Sequence, residues 1–256
     1  MVIWLLWSVF SEYLKIKEGA TRRYSQIDYV GTPIYNSIKK HSENYTFLDS
    51  VNVYYLRHKS DGHTLTGFMA MPKAEGKFPS VVYNRGGNRD FGELLIYHSI
   101  EVLGRIAANG FVVVASNYRG NSGGEGREEF GGADVNDVIN LIESLKEIPQ
   151  ADAKRVGLLG VSRGGMMNYL VLKKAPELVQ ASIQIGGIAD LEKTIKYHKR
   201  IEKVIKDLIP DYKKNRNVEV KNRSAINWVA ALPRDVPQLI LHSYDDDEVS
   251  YKQIKP

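Results

Sequence analysis

The sequence predicts an α/β fold: an open, mostly parallel sheet with helices on both faces. Three observations carry this expectation. Five runs, SVVYN (80–84), FVVVAS (111–116), VGLLG (156–160), ASIQIG (181–186) and QLILH (238–242), are short and aliphatic with few polar breaks. Strands buried on both faces of a parallel sheet have this texture. The segments between them place apolar residues at helical spacing, as Val135, Val138, Ile139, Ile142 and Leu145 do. Strand–helix alternation of this kind closes into a parallel sheet covered on both sides.

The elements follow in chain order. The first ten residues, MVIWLLWSVF, are apolar. They are too few to cross a bilayer, which takes about 20, and they lack a clear basic segment and cleavage site. They read as a packed terminal segment or as the remnant of an export signal. A cytoplasmic chain is slightly favoured, and an exported one follows from the second reading. Residues 11–45 are polar and weakly periodic, a helix and lead-in. The expected organisation is thus an N-terminal segment over 1–48 and one main domain over 49–256. At Val51 the texture changes: VNVYYLR alternates, KSDGHT turns and LTGFMAMP returns, an antiparallel hairpin. The helical stretch 92–108 ends at Asn109-Gly110, a C-terminal cap. Residues 190–223 interrupt the alternation. There Ile201, Val204, Ile205 and Leu208 share one helical face and lysines with Arg200 cover the rest, a solvated amphipathic helix.

Composition excludes several chemistries. The 256 residues suffice for one sizeable core. With no cysteine, disulfides, thiolate metal sites and a cysteine nucleophile are excluded. A net charge of +5 is too small to argue nucleic-acid binding. RGNSGGEG is glycine-rich but contains neither G-x-G-x-x-G nor G-K-[ST], so no nucleotide cofactor is expected. No histidine pair has zinc-ligand spacing, and Asp245–Asp247 lack the spacing of a calcium loop, so no metal is expected either.

The chemistry lies at Gly160-Val161-Ser162-Arg163-Gly164, between a strand and the helical MMNYLVLKKA. A nucleophilic serine on a strained strand-to-helix turn needs glycines two residues to either side, so that strand and helix pass closely. Ser162 is therefore the candidate nucleophile. The oxyanion donors are the backbone N–H of Arg163 and, from the loop after an earlier strand, that of Gly87. Arg85 stands before Gly86-Gly87 and could add a charged donor to the pocket.

The motifs SDGHTLTGFMAMP, VVYNRGG, ASNYRGNSGGEG, FGGADVNDV, GVSRGG and LILHSYDDDEV occur in the order seen in prolyl oligopeptidase-type serine hydrolases. The resemblance covers roughly residues 50–250. It implies an α/β-hydrolase fold and a serine hydrolase acting on a peptide or small ester through an acyl-enzyme on Ser162. Where the family carries a His-Gly-Gly-Pro-like loop, this sequence has Arg85-Gly86-Gly87-Asn88. The family's acid follows a His-Gly-x-x-Asp-x-x-Val pattern, which His242 to Val249 match except for Ser243, and this selects Asp246. The triad order then requires a histidine after Asp246, and none follows.

Of the six histidines, His41, His58 and His63 are expected on the surface. His98 falls in a helix, and His242 belongs to the strand-end motif. His198, on the insertion, is the remaining one near the pocket. The expectation is a fold lacking its C-terminal strand and helix, with the catalytic histidine beyond Pro256 and QLILH left as an exposed edge open to self-association. The alternative is a catalytically incompetent hydrolase domain acting as a binding module.

Overall fold

The protein is described by a computed structural model covering residues 24–254; the apolar N-terminal run and the first part of the lead-in, 11–23, lie outside the described residues. Eight strands form one sheet in the order β1-β2-β3-β5-β4-β6-β7-β8. They are β1 (Tyr24–Gln26), β2 (Val51–Ser60), β3 (His63–Pro72), β4 (Phe78–Asn84), β5 (Val112–Ser116), β6 (Ala151–Val161), β7 (Ala181–Ile185) and β8 (Gln238–Leu241). The hairpin pairs β2 with β3 in register from Val51–Pro72 to Ser60–His63, around Asp61-Gly62, both at positive φ. From β5 onward all pairings are parallel: β5 with β4, β4 with β6, β6 with β7 and β7 with β8. All five strands predicted from aliphatic runs are present, and the fold is the predicted α/β-hydrolase type. The short strand β1, which pairs antiparallel with β2, left no signal in the sequence.

Two apolar layers cover the sheet. Helices α3 (Val135–Ser144) and α4 (Arg163–Lys174) close one face, where Val138, Leu141, Ile142, Met167 and Val171 meet Val82, Val114 and Leu158. On the other face, α1 (Pro33–Lys40), the turn at 42–49 and the helical run α2 (96–107) pack Ile34, Leu48, Ile100 and Leu103 on Phe68, Val113 and Ala115. The helix expected over 92–108 begins only at Ile96, and its middle, Ser99–Gly104, is π-helical.

The insertion is three helices rather than one: α5 (Leu191–Tyr197), α6 (Lys199–Leu208) and α7 (Tyr212–Asn222). His198 leaves the helical region between the first two, at φ −121° and ψ 87°. Pro210 follows Ile209, which is extended, and a residue before proline is disfavoured in the helical region. The predicted apolar face is correct. Ile205 and Leu208 are buried, Ile201 and Val204 pack partly beside them, and all meet Phe130, Met166, Ile188 and Val249. The outer face is solvated and paired, as in Lys206–Glu202 and Lys196–Glu192.

Parallel strands end on the same side. The segments leaving β4, β6, β7 and β8 therefore converge at one end of the sheet, where open α/β folds place their ligands. At the far edge, β8 exposes Leu239, Ile240 and Leu241.

Candidate active site

Ser162 joins β6 to α4 with φ 54° and ψ −120°, a region in which a residue carrying Cβ is strained. The surrounding glycines make the turn possible. A Cβ at Gly160 would lie 2.3 Å from the Gly164 carbonyl oxygen, and one at Gly164 would lie 1.9 Å from that of Asn84. Helix α4 thus starts in backbone contact with the ends of both β4 and β6. The Ser162 backbone is fixed on both sides: its N–H donates to Ile185 O at 2.9 Å, and its carbonyl accepts from Gly165 and Ile188. Its Oγ makes no hydrogen bond among the described residues and lines a cavity of about 1380 Å³.

The loop after β4 brings the predicted glycines to this serine. A Cβ on Gly86 would lie 3.1 Å from Ser162 Cβ, and Gly87 has φ +70°. The N–H groups of Gly86, Gly87 and Arg163 donate to no carbonyl among the described residues. Gly87 and Arg163, the predicted donors, line the same cavity as Ser162.

The Arg163 side chain was not anticipated. Its guanidinium is 1% exposed and pairs with the buried carboxylates of Glu128 and Asp134. It also donates to Gly87 O at 3.2 Å, and it stacks 4.8 Å from the ring centroids of both Tyr118 and Phe130. Burial by itself would lower its pKa, but the charges of Glu128 and Asp134 outweigh this and hold it above the usual arginine value. The acids of REEFGGAD, two of which are its partners, were the available signal.

Arg85 departs from expectation. It is buried, and instead of donating into the pocket it donates to the carbonyls of Gly86 (3.1 Å), Phe91 (3.3 Å), Arg89 (3.0 Å) and Asn117 (3.1 Å). Arg85 makes no ion pair among the described residues, although the charges of Glu128 and Glu93 reach it, and its N–H groups are satisfied on the backbone it encloses.

Asp246 also lines the cavity, whereas Asp245 and Asp247 do not. Its Oδ1 accepts from the N–H groups of Glu248 (3.0 Å) and Val249 (2.7 Å). Its Oδ2 lies 3.3 Å from His242 Nε2 and packs on Gly186, whose added Cβ would come within 2.9 Å. Three histidines line the cavity, and each is engaged. His242 Nε2 also meets the Val249 carbonyl, His198 Nε2 meets the Asp247 carbonyl, and His98 Nδ1 accepts from Leu95 N–H. None hydrogen-bonds Ser162 Oγ. The surface assignment of His58 was wrong: it is 4% exposed, with Nε2 3.0 Å from Ser116 Oγ in the hairpin core.

Residues 97–255 match the Prolyl oligopeptidase family (Peptidase_S9). The chain belongs to the prolyl oligopeptidase family. It is 30% identical to the "Uncharacterized peptidase YtmA" of Bacillus subtilis (strain 168) over 200 residues, covering 78% of this chain and 76% of that one. "Uncharacterized peptidase YuxL" of the same organism is 28% identical over 212 residues, 75% of this chain and 30% of that one. Among solved structures, uncomplexed acylaminoacyl peptidase of Pyrococcus horikoshii superposes with TM-score 0.67 at 25% identity. That match covers 83% of this chain and 35% of the other. The chain thus spans about a third of that solved peptidase and about three quarters of YtmA. In this prolyl oligopeptidase family chain, Arg85 serves the backbone of its own loop.

Proposed function

We propose that this prolyl oligopeptidase family domain is a serine hydrolase cleaving a peptide or small ester bond through an acyl-enzyme on Ser162. The observation that carries the reading is a strained Ser162 whose backbone is fixed and whose Oγ stands unbonded in a large cavity. In the proposed reaction Ser162 Oγ bonds to the substrate carbonyl carbon as its proton passes to an imidazole. The negative oxygen that forms is held by the Gly87 and Arg163 N–H groups. Collapse breaks the bond to the leaving amine or alcohol, which takes the proton, and water then releases the acyl group. Asp246 is assigned the role of orienting that imidazole.

A second reading has one observation in its favour. No imidazole among the described residues is hydrogen-bonded to Ser162 Oγ, and the three on the cavity wall are engaged elsewhere. On that reading the domain binds a carbonyl ligand without turning it over. Hydrolysis of p-nitrophenyl butyrate and of an acyl-alanine p-nitroanilide, by wild type and Ser162→Ala with and without added imidazole, decides between them. Ser162-dependent release supports the first. Release identical in both proteins supports the second. No nucleic-acid partner is proposed. Self-pairing along the β8 edge is proposed, because its apolar side chains are exposed and its backbone groups are open to a further strand.

A further inference from the structure

We infer that Arg85 is a positioning residue that sets the direction of the Gly87 N–H, an inference that rests on the oxyanion role proposed for Gly87. In a trans peptide the C=O and N–H of one plane point in opposite directions. Gly87 N–H shares its plane with the Gly86 carbonyl, and Arg85 Nη1 donates to that carbonyl at 3.1 Å. Pulling the oxygen towards the buried guanidinium turns the N–H away from it. No carbonyl among the described residues takes that N–H.

The planes on either side are held in the same way. Tyr118 OH donates to Arg85 O at 3.2 Å, and Arg163 Nη1 donates to Gly87 O at 3.2 Å. In the second of these planes Asn88 N–H donates to Phe91 O at 2.9 Å. Three successive carbonyls of a glycine-rich loop thus each have their own donor. This is needed because Gly86 and Gly87 restrict the backbone least of all residues. Tyr118 ties the donors together: its ring lies 5.3 Å from Arg85 Cζ and 4.8 Å from Arg163 Cζ. The guanidinium fork is what the position requires. Nη1 reaches Gly86 O and Phe91 O while Nη2 reaches Arg89 O and Asn117 O, and a lysine ammonium cannot span these directions at once.

The test uses Arg85→Lys and Arg85→Gln in the full chain, each first shown to unfold cooperatively. The direct readout is the ¹⁵N order parameter of the Gly87 amide in the free protein, which does not depend on Ser162 reactivity. The inference predicts a lowered value in both variants, more so in Arg85→Gln, with the amides of α3 unchanged. An unchanged Gly87 value in Arg85→Gln overturns it. The second readout is binding of a peptidyl boronic acid, whose tetrahedral adduct with Ser162 needs the oxyanion donors, set against the matching planar amide. Boronate affinity should fall by about 10²-fold, the scale of losing one such donor, with planar-amide affinity retained. Equal losses for both ligands would make Arg85 merely structural. Failure of wild type to form the adduct would count against the Ser162 reading, while the Gly87 amide would still decide the role of Arg85.

Discussion

The Arg163 guanidinium and the Glu128 carboxylate form an ion pair sealed from solvent directly behind the Ser162 turn, at 1% and 3% exposure. Asp134 completes the group from the start of α3. One residue therefore offers its backbone N–H to the cavity and uses its side chain to lock the loop after β5 to the nucleophile turn. Arg163→Met would leave two carboxylates buried without their cation. The expected loss is about 3–5 kcal/mol, read as a fall in the urea midpoint. A loss below about 1 kcal/mol would mean the pair contributes little to holding the turn.

Glycines of the same strand–turn–helix unit should differ sharply. Gly164→Ala would drive a Cβ to 1.9 Å from the Asn84 carbonyl oxygen, backbone that cannot step aside. A destabilisation of at least about 1–3 kcal/mol is expected, the range for overpacking. Gly157→Ala, whose Cβ meets nothing closer than 3.7 Å, should change stability little. Thermal melts of the two variants check the contrast.

Acid stability should depend on the hairpin turn. Hydrogen bonds from Arg119, at 2.8 Å, and Asn136 hold the Asp61 carboxyl below its ordinary pKa. A depressed carboxyl stabilises the fold above its unfolded pKa, about 3.9, and that contribution disappears as pH falls through the folded value. Asp61→Asn should therefore flatten the acid limb of a stability profile below about pH 4. Its cost at pH 7 should be about 1 kcal/mol or less, because Asp61 is 38% exposed. A limb of unchanged steepness would contradict this.

The β8 edge should behave as an adhesive surface. Ile240→Lys places a charge on an exposed edge residue, a change that blocks strand-to-strand pairing. Sedimentation should show association of the wild-type chain that weakens in the variant, with no loss of thermal stability. Identical profiles would remove the edge as the cause.

What was legible in the sequence divides along physical lines. The strands at 80–84, 111–116, 156–160, 181–186 and 238–242 were visible as short aliphatic runs, and all five occur with ends within two residues of those expected except β6. That strand starts five residues earlier, at Ala151, where Asp152 and Lys154 hide the pattern. The glycine-flanked turn at Ser162 was readable because backbone contacts at Gly160 and Gly164 admit no other residue type, whereas Asp246 was selected only by the family resemblance. The roles of Arg85 and Arg163 were not readable. A buried guanidinium depends on carbonyls and carboxylates drawn from 86–134, and no local periodicity encodes that. His58 was misplaced for a related reason: its polar partner, Ser116, is 58 residues away on a strand two places along the sheet. The insertion divides into three helices because Pro210 and the non-helical His198 interrupt a pattern that apolar spacing alone reads as continuous.

The central claim, that Ser162 is a nucleophile facing prepared oxyanion donors, is tested most directly by intact-protein mass spectrometry after exposure to a fluorophosphonate. Free imidazole is supplied as base, and Ser162→Ala serves as control. The account predicts one added phosphonyl group, mapped to Ser162 and absent in the variant, with labelling faster when imidazole is present. A folded wild-type chain that stays unmodified under these conditions, or one modified equally in Ser162→Ala, would contradict it.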